Sequence, residues 1–225
     1  MYIWSKNLLT QGSLTPPGPY DYHYTFDNNR NLIDCDDQVF LEATGTQYIN
    51  TGIITSDSNT IDIIFKTTSE SVPTICGTYS SSSSSQYSPN SVTYISNNHY
   101  SRVLKSSGMK NITISAGTHT LKYSSSNVIY DGTTMSWDSD SGNSYNNELC
   151  LFISKYGSNL NYGKLGINRY KIYNSSNILV RDLVPVPQEL IINDYTIPSN
   201  GMWDIVNQQF YPNLGSGDFI FEENN

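Results

Sequence analysis

The chain has 225 residues, of which 37% are hydrophobic and 14% charged, with a formal charge of −8 and a pI near 4.7. Its 12 Lys and Arg are scattered, which argues against the clustered cations that nucleic-acid backbones require. No stretch approaches the ~18 apolar residues that span a bilayer, and MYIWSKNLLTQGS lacks an apolar core after Lys6, so neither membrane insertion nor export by a signal peptide is expected.

Residues 1–19 read as an arm and a stiff linker. Tyr2, Ile3, Trp4, Leu8 and Leu9 are its apolar positions, and Thr15-Pro16-Pro17-Gly18-Pro19 blocks helix and sheet alike. The arm reads either as a segment packed on the domain edge or as an attachment and oligomerisation element docking on a neighbouring subunit. Residues 20–225 are expected to form one all-β domain. Tyr20, Tyr22, Tyr24 and Phe26 alternate with polar residues and place four rings on one strand face, with Asp27-Asn28-Asn29-Arg30 turning into a hairpin that covers the domain.

FLEATGTQYINTG, Phe40 to Gly52, reads as a strand, a Thr44-Gly45-Thr46 turn and a second strand. Ile61, Ile63 and Phe65 alternate, with Ile64 interrupting the polar side. Ile112 and Ile114, then Leu121 and Tyr123, repeat the period of two around Ala116-Gly117-Thr118 and are expected to be antiparallel neighbours. Asp131-Gly132 between Val128-Ile129-Tyr130 and Thr133-Thr134-Met135 is a hairpin signal. Leu149 to Ile153 is apolar throughout, as a strand covered on both faces would be. Tyr170–Tyr173 and Ile178–Val186 flank an Asn174-Ser175-Ser176-Asn177 turn, and Pro185 and Pro187 are expected to end that pairing. GMWDIVNQQFYPNLGSGDFIF, Gly201 to Phe221, contains two short strands bounded by turn residues. Serine-rich stretches at 80–85 and 139–147 are expected to be loops. No window keeps a helical stripe.

Three of these segments, Phe40–Gly52, YKIYNSSNILVRDLVPV at Tyr170–Val186, and Gly201–Phe221, resemble the concanavalin A-like, laminin-G-like domains of structural proteins in tailed bacteriophages, especially gut phages, and of some bacterial surface proteins. The resemblance spans roughly residues 38 to 221. It implies a two-sheet antiparallel jelly-roll sandwich of the concanavalin A-like lectin/glucanase type. It also implies a non-enzymatic virion protein, made in the host bacterial cytoplasm and acting as a head fibre, spike or tail-associated component. Its partners would be other virion proteins, copies of itself and host-surface or mucosal glycans. The alternative is a bacterial surface adhesin or carbohydrate-binding module.

The residues themselves give no catalytic set. Glu42, Glu70, Glu148, Glu189, Glu222 and Glu223 are isolated or terminal, whereas glycoside hydrolysis needs two carboxylates about 5 to 9.5 Å apart. There is no GxSxG elbow, and His99 and His119 read as surface histidines. Cys35, Cys76 and Cys150 lack metal or disulfide spacing and read as reduced, mostly buried thiols. No cofactor is expected. Calcium enters only through the resemblance, with Asp138 and Asp140 as candidate ligands against a solvated turn. Sugar stacking would fall to Tyr79, Tyr87, Tyr94, Trp137 and Tyr145, around the two polar loops, against the plainer reading of rings that fill sandwich surface. Arg181-Asp182 reads as a structural pair holding a strand end, and Trp203 and Phe210 as core or hairpin anchors.

Overall fold

The computed structural model describes residues 2–4, 23–26, 32–35, 39–54, 56, 58–69, 71, 73–78, 91–95, 100–105, 108–138, 147–156, 159–186, 189–192 and 195–223. Among them there is no helix, and every strand pair is antiparallel. Three strands, β1 (Tyr2–Trp4), β2 (His23–Phe26) and β3 (Leu32–Cys35), pair in that order as a small sheet. The chain then alternates between two main sheets. β4 (Val39–Thr44) lies in the larger, β5 (Ile49–Ile54) in the smaller, and β6 (Thr60–Thr67) in the larger again. β7 (Cys76–Thr78), β8 (Ser91–Ile95), β9 (Tyr100–Lys105) and β10 (Gly108–Ile112) run side by side through the smaller sheet. β11 (Gly117–Tyr123), β12 (Val128–Tyr130) and β13 (Thr133–Met135) return to the larger, and β14 (Glu148–Leu151) inserts between β7 and β5.

A hairpin of β15 (Ile153–Tyr156) and β16 (Asn159–Tyr162) follows, then β17 (Lys164–Tyr173) and β18 (Leu179–Val186) of the larger sheet. A second separate hairpin, β19 (Leu190–Ile192) and β20 (Tyr195–Ile197), precedes β21 (Gly201–Asp204), β22 (Gln209–Pro212) and β23 (Ile220–Glu223). The larger sheet has ten strands in the order β13-β12-β11-β6-β17-β18-β21-β22. β4 pairs with the first half of β17, and β23 lies beyond β4. The smaller has six, in the order β10-β9-β8-β7-β14-β5.

The period of two explains how the sheets face each other. Along β6, Ile61, Ile63 and Phe65 are fully buried while Asp62, Ile64 and Lys66 are only half-buried. These inward residues join Leu121, Tyr123, Ile167 and Tyr170 of the same sheet in one core with Ile49, Cys76, Val92, Val103 and Leu149 of the other. The arrangement is a sandwich with a shared apolar layer. On the outer face of the larger sheet, register sets Lys122, Asp62, Lys171 and Asp182 in one row across β11, β6, β17 and β18. Directly opposed charges alternate there, which favours this register over its slipped neighbours.

Several expectations hold. The Asp131-Gly132 hairpin, the β17–β18 hairpin and the β21–β22 hairpin all form. Two are corrected. Ile112 and Leu121 are not on neighbouring strands: β10 belongs to the smaller sheet and β11 to the larger, so the segment between them crosses the core edge. Period two reports a strand's buried face but not its partner. Pro185 does not end the pairing either, because β18 continues to Val186 with Pro185 opposite Met202. Its contact with β17 stops at Leu183, so the proline sits where one side needs no ladder donor.

The β15–β16 hairpin turns back over the smaller sheet at Phe152, whose φ of 63° is uncommon for a bulky side chain. β15 then crosses β7 so closely that a Cβ on Gly77 would lie 2.3 Å from the Ser154 Cβ. Thr93 Oγ1 donates to Ser154 Oγ at 2.8 Å beside that crossing. On the other side of the molecule β3 lies against β18. The expected arm includes β1, which pairs with β2 as Tyr2↔Thr25, Ile3↔Tyr24 and Trp4↔His23. Leu8, Leu9, the Asp27–Arg30 turn and both serine-rich stretches, except Asn147, lie outside the described residues, as do the side chains of Tyr2, Ile3 and Trp4.

Candidate functional site

The three resembling segments are far apart in sequence and adjacent in the fold. Gln47, in the turn between β4 and β5, is 1% exposed. Its Oε1 accepts from the Thr44 and Thr46 amides at 3.0 and 3.2 Å, and its Nε2 donates to the Asp218 carbonyl at 2.9 Å. The Leu214 amide donates to Tyr48 O at 2.9 Å and the Ser216 amide to Thr46 O at 3.2 Å, while Thr46 Oγ1 donates to Ser216 O at 2.6 Å. A buried glutamine satisfied on both ends of its amide thus fastens the C-terminal loop to the first turn.

The second junction is ionic. Arg169 on β17 grips Asp182 on β18 through Nε and Nη2, each 2.8 Å from a carboxylate oxygen. Asp204, at the end of β21, is fully buried. Its Oδ1 accepts from the amides of Asp182 (3.1 Å) and Val206 (3.0 Å), and its Oδ2 accepts from Asn207 Nδ2 at 2.6 Å and lies 3.5 Å from Arg181 Nε. Arg181 also donates to Thr51 O on β5 at 3.2 Å, tying the larger sheet to the smaller. The Arg181-Asp182 pair is therefore divided: successive strand residues point to opposite faces, so each bonds elsewhere. Trp203 is 5% exposed and stands opposite Phe210, in keeping with its role as an anchor.

Among the described residues, His119, Tyr130 and Asp131 form an arrangement that looks like part of a catalytic triad. His119 Nδ1 lies 2.8 Å from Asp131 Oδ2 and 2.9 Å from the Tyr130 hydroxyl. Its Nε2, however, lies 2.9 Å from the Ser115 carbonyl and so donates a proton there. That nitrogen has no lone pair for a nucleophile or a water, which a general base requires. Asp131 Oδ1 also accepts from the Thr120 amide at 2.8 Å. The cluster clamps the β12–β13 turn onto β11. Burial first, then the Asp131 carboxylate, push the Tyr130 phenol from 10.0 up to about 12. The surface reading of His119 is corrected: the residue is 6% exposed, because positions 119, 121 and 123 all face inward. That period was the available signal.

Inside the core, Cys76 Sγ lies 3.4 Å from the Tyr123 hydroxyl, and both sheets contribute to the contact. Burial raises the Cys76 thiol above its usual range, with the tyrosine hydrogen bond acting against the shift, and burial likewise raises Tyr123 and Tyr170. Thiols held neutral in this way are poor nucleophiles. Cys76 and Cys150 are both buried thiols. Lys105, fully buried, donates from Nζ to the Asn59 carbonyl and sits 6.0 Å over the Tyr123 ring.

Of the sequence candidates around the polar loops, Trp137 is half-buried. Its indole Nε1 donates to Ser125 O at 3.2 Å, and its side chain packs so tightly on β10 that a Cβ on Gly108 would meet it at 2.5 Å. Asp138 is bonded to Lys110 Nζ at 2.5 Å, and its amide donates to Met109 O at 2.8 Å. The carboxylate offered for calcium thus already neutralises a lysine. Tyr79, Tyr87, Tyr145 and Asp140 lie outside the described residues, and of Tyr94 only the backbone, in β8, is described. No group of three or more metal-ligating side chains occurs among the described residues, and among them no helix is long and apolar enough to cross a membrane. A cavity of about 10 Å³ beside Phe40, Glu42, Lys66 and Gly166 has room for roughly one water molecule. No family model, curated protein or solved structure matches this chain.

Proposed function

We propose that this chain is a non-enzymatic bacteriophage virion protein. In this reading it is a head fibre, spike or tail-associated component that presents a jelly-roll sandwich of the concanavalin A-like type to host-surface or mucosal glycans. The observation that carries the reading is the convergence of the three resembling segments. Gln47 bonds across 171 residues to Asp218, and Arg181 bonds across 130 residues to Thr51 and lies 3.5 Å from Asp204, so two junctions bring the three segments together. A resemblance confined to local turn grammar would not require its parts to meet.

The chemistry of the described side chains fits adhesion better than turnover. The His119 ring, the Asp204 and Asp182 carboxylates and the Cys76 thiol are all held by structural partners. Weak contacts from polar loops suffice when many copies sit on one particle, because the second and later contacts become intramolecular. Antibody raised against the recombinant chain, used for immunogold electron microscopy of a lysing culture, tests the assignment. Gold on particle heads or tails is the expected result. Gold confined to the bacterial envelope would overturn it in favour of the surface adhesin.

A further inference from the structure

Asn200 and Gly201 form the one Asn-Gly pair of the chain, and Asn-Gly is the dipeptide most prone to lose its side-chain ammonia. The fold restricts both positions. Asn200 has φ +73°, a conformation that Gly, Asn and Asp tolerate and other side chains resist. A Cβ on Gly201 would lie 2.4 Å from Tyr211 O and 2.5 Å from Phe210 Cζ, so no side chain fits there. Replacing Gly201 would mean rebuilding the β21–β22 hairpin.

The Asn200 side chain is instead held at both ends. Its Nδ2 donates to Asp218 Oδ1 at 2.7 Å, and its Oδ1 accepts from the Phe219 amide at 2.8 Å. Its carbonyl accepts from the Asn213 amide at 3.2 Å. Phe219 is 5% exposed, packs 5.0 Å from the Phe152 ring, and leads directly into β23. The same two bonds that hold the carboxamide therefore hold the entry to the C-terminal strand.

We propose that Asn200 is a latent deamidation site, kept closed by the Asp218 carboxylate and the Phe219 amide, and that its conversion weakens the seating of β23. In the reaction the Gly201 nitrogen gives its proton to water and attacks Cγ of Asn200. A C–N bond forms, the bond to Nδ2 breaks, and ammonia leaves. Water then opens the succinimide at either carbonyl to give aspartate or isoaspartate, with no change in oxidation state. Attack requires the carboxamide to rotate toward Gly201, which both bonds oppose. An aspartate at 200 would set its carboxylate against that of Asp218 across a 2.7 Å contact, and like charges repel. An isoaspartate would add a backbone atom and displace β21 from its Val186↔Gly201 and Gly201↔Pro212 register.

The test is peptide mapping by mass spectrometry after timed incubation of the full chain at mildly alkaline pH, folded and in urea. Conversion at Asn200 should be many-fold slower in the folded chain, and Asp218→Ala should raise the folded rate several-fold while Asp218→Asn leaves it near wild type. Equal rates for folded and urea-unfolded wild type would overturn the proposal whatever the variants do. So would an unchanged rate in a folded Asp218→Ala. A second arm replaces Asn200 by Asp: N200D should lower the unfolding midpoint and N200D/D218N should restore most of the loss. No loss in N200D, or no rescue in the double variant, would equally reject the second half of the claim.

Discussion

The two edges of the larger sheet close their hairpins with the same device at different depths. At one edge Asp131 sits in the β12–β13 turn with its side chain 43% exposed, and binds His119 and the Thr120 amide. At the other, Asp204 sits before the β21–β22 turn, fully buried, and binds two amides, Asn207 and Arg181. A carboxylate in water loses little when a partner is removed. A carboxylate without water must keep every partner, and a partner deprived of it is left buried and unsatisfied. The depth of the aspartate, rather than the number of its bonds, decides how much of the molecule depends on it.

The largest expected effect follows from that depth. Asp204→Ala should cost about 3–5 kcal/mol, since it strands Arg181 and the Asp182 amide in the interior; urea unfolding followed by tryptophan fluorescence measures it. A change below 1 kcal/mol would erase the distinction between the edges. Next, Arg169→Ala, Asp182→Asn and the double variant should give a coupling of about 1–3 kcal/mol, as expected for side chains that share one bidentate contact. Additive losses would mean that the two act separately. His119→Ala should cost about 0.5–3 kcal/mol by removing a buried ring packed against Phe65 and Tyr130. Hydrogen exchange should rise in β11–β13 and stay unchanged in β21–β22.

The Tyr130 phenol gives the same edge a pH signature. Its folded value is raised to about 12 from 10.0, so the neutral phenol is favoured by folding. The associated stability is complete below pH 10 and declines as pH rises from about 10 toward about 12, because the unfolded chain ionises first. Tyrosinate absorbance should show a late-titrating group that Tyr130→Phe removes. Smallest of all, Lys110→Ala should change stability by about 0–1 kcal/mol, because Asp138 is 46% exposed.

The sequence was legible where a residue's role is local. Asp131-Gly132, Asn174–Asn177 and the turn after Asp204 each announce a hairpin through the φ they accept or the amide they cap, and each hairpin forms. Pairing at a distance was not legible. Ile112 and Leu121 read as neighbours because both face inward with a turn between them, yet they face inward from opposite sheets. The partners of Arg181 and Asp182 lie 23 residues downstream at Asp204 and 13 upstream at Arg169, and no local pattern carries that information. Gln47 carries no local signal, and its role emerges only where the loop at Asp218 closes on it.

The proposed function requires that this sandwich hold ligands without transforming them. The direct measurement is the release of reducing ends from bacterial and mucin-type polysaccharides by the chain displayed on multivalent beads, made alongside retention of the same beads on those polysaccharides. The account predicts retention that the monomer lacks, with reducing ends no higher than for bare beads. Reducing ends that accumulate in proportion to the protein would contradict it.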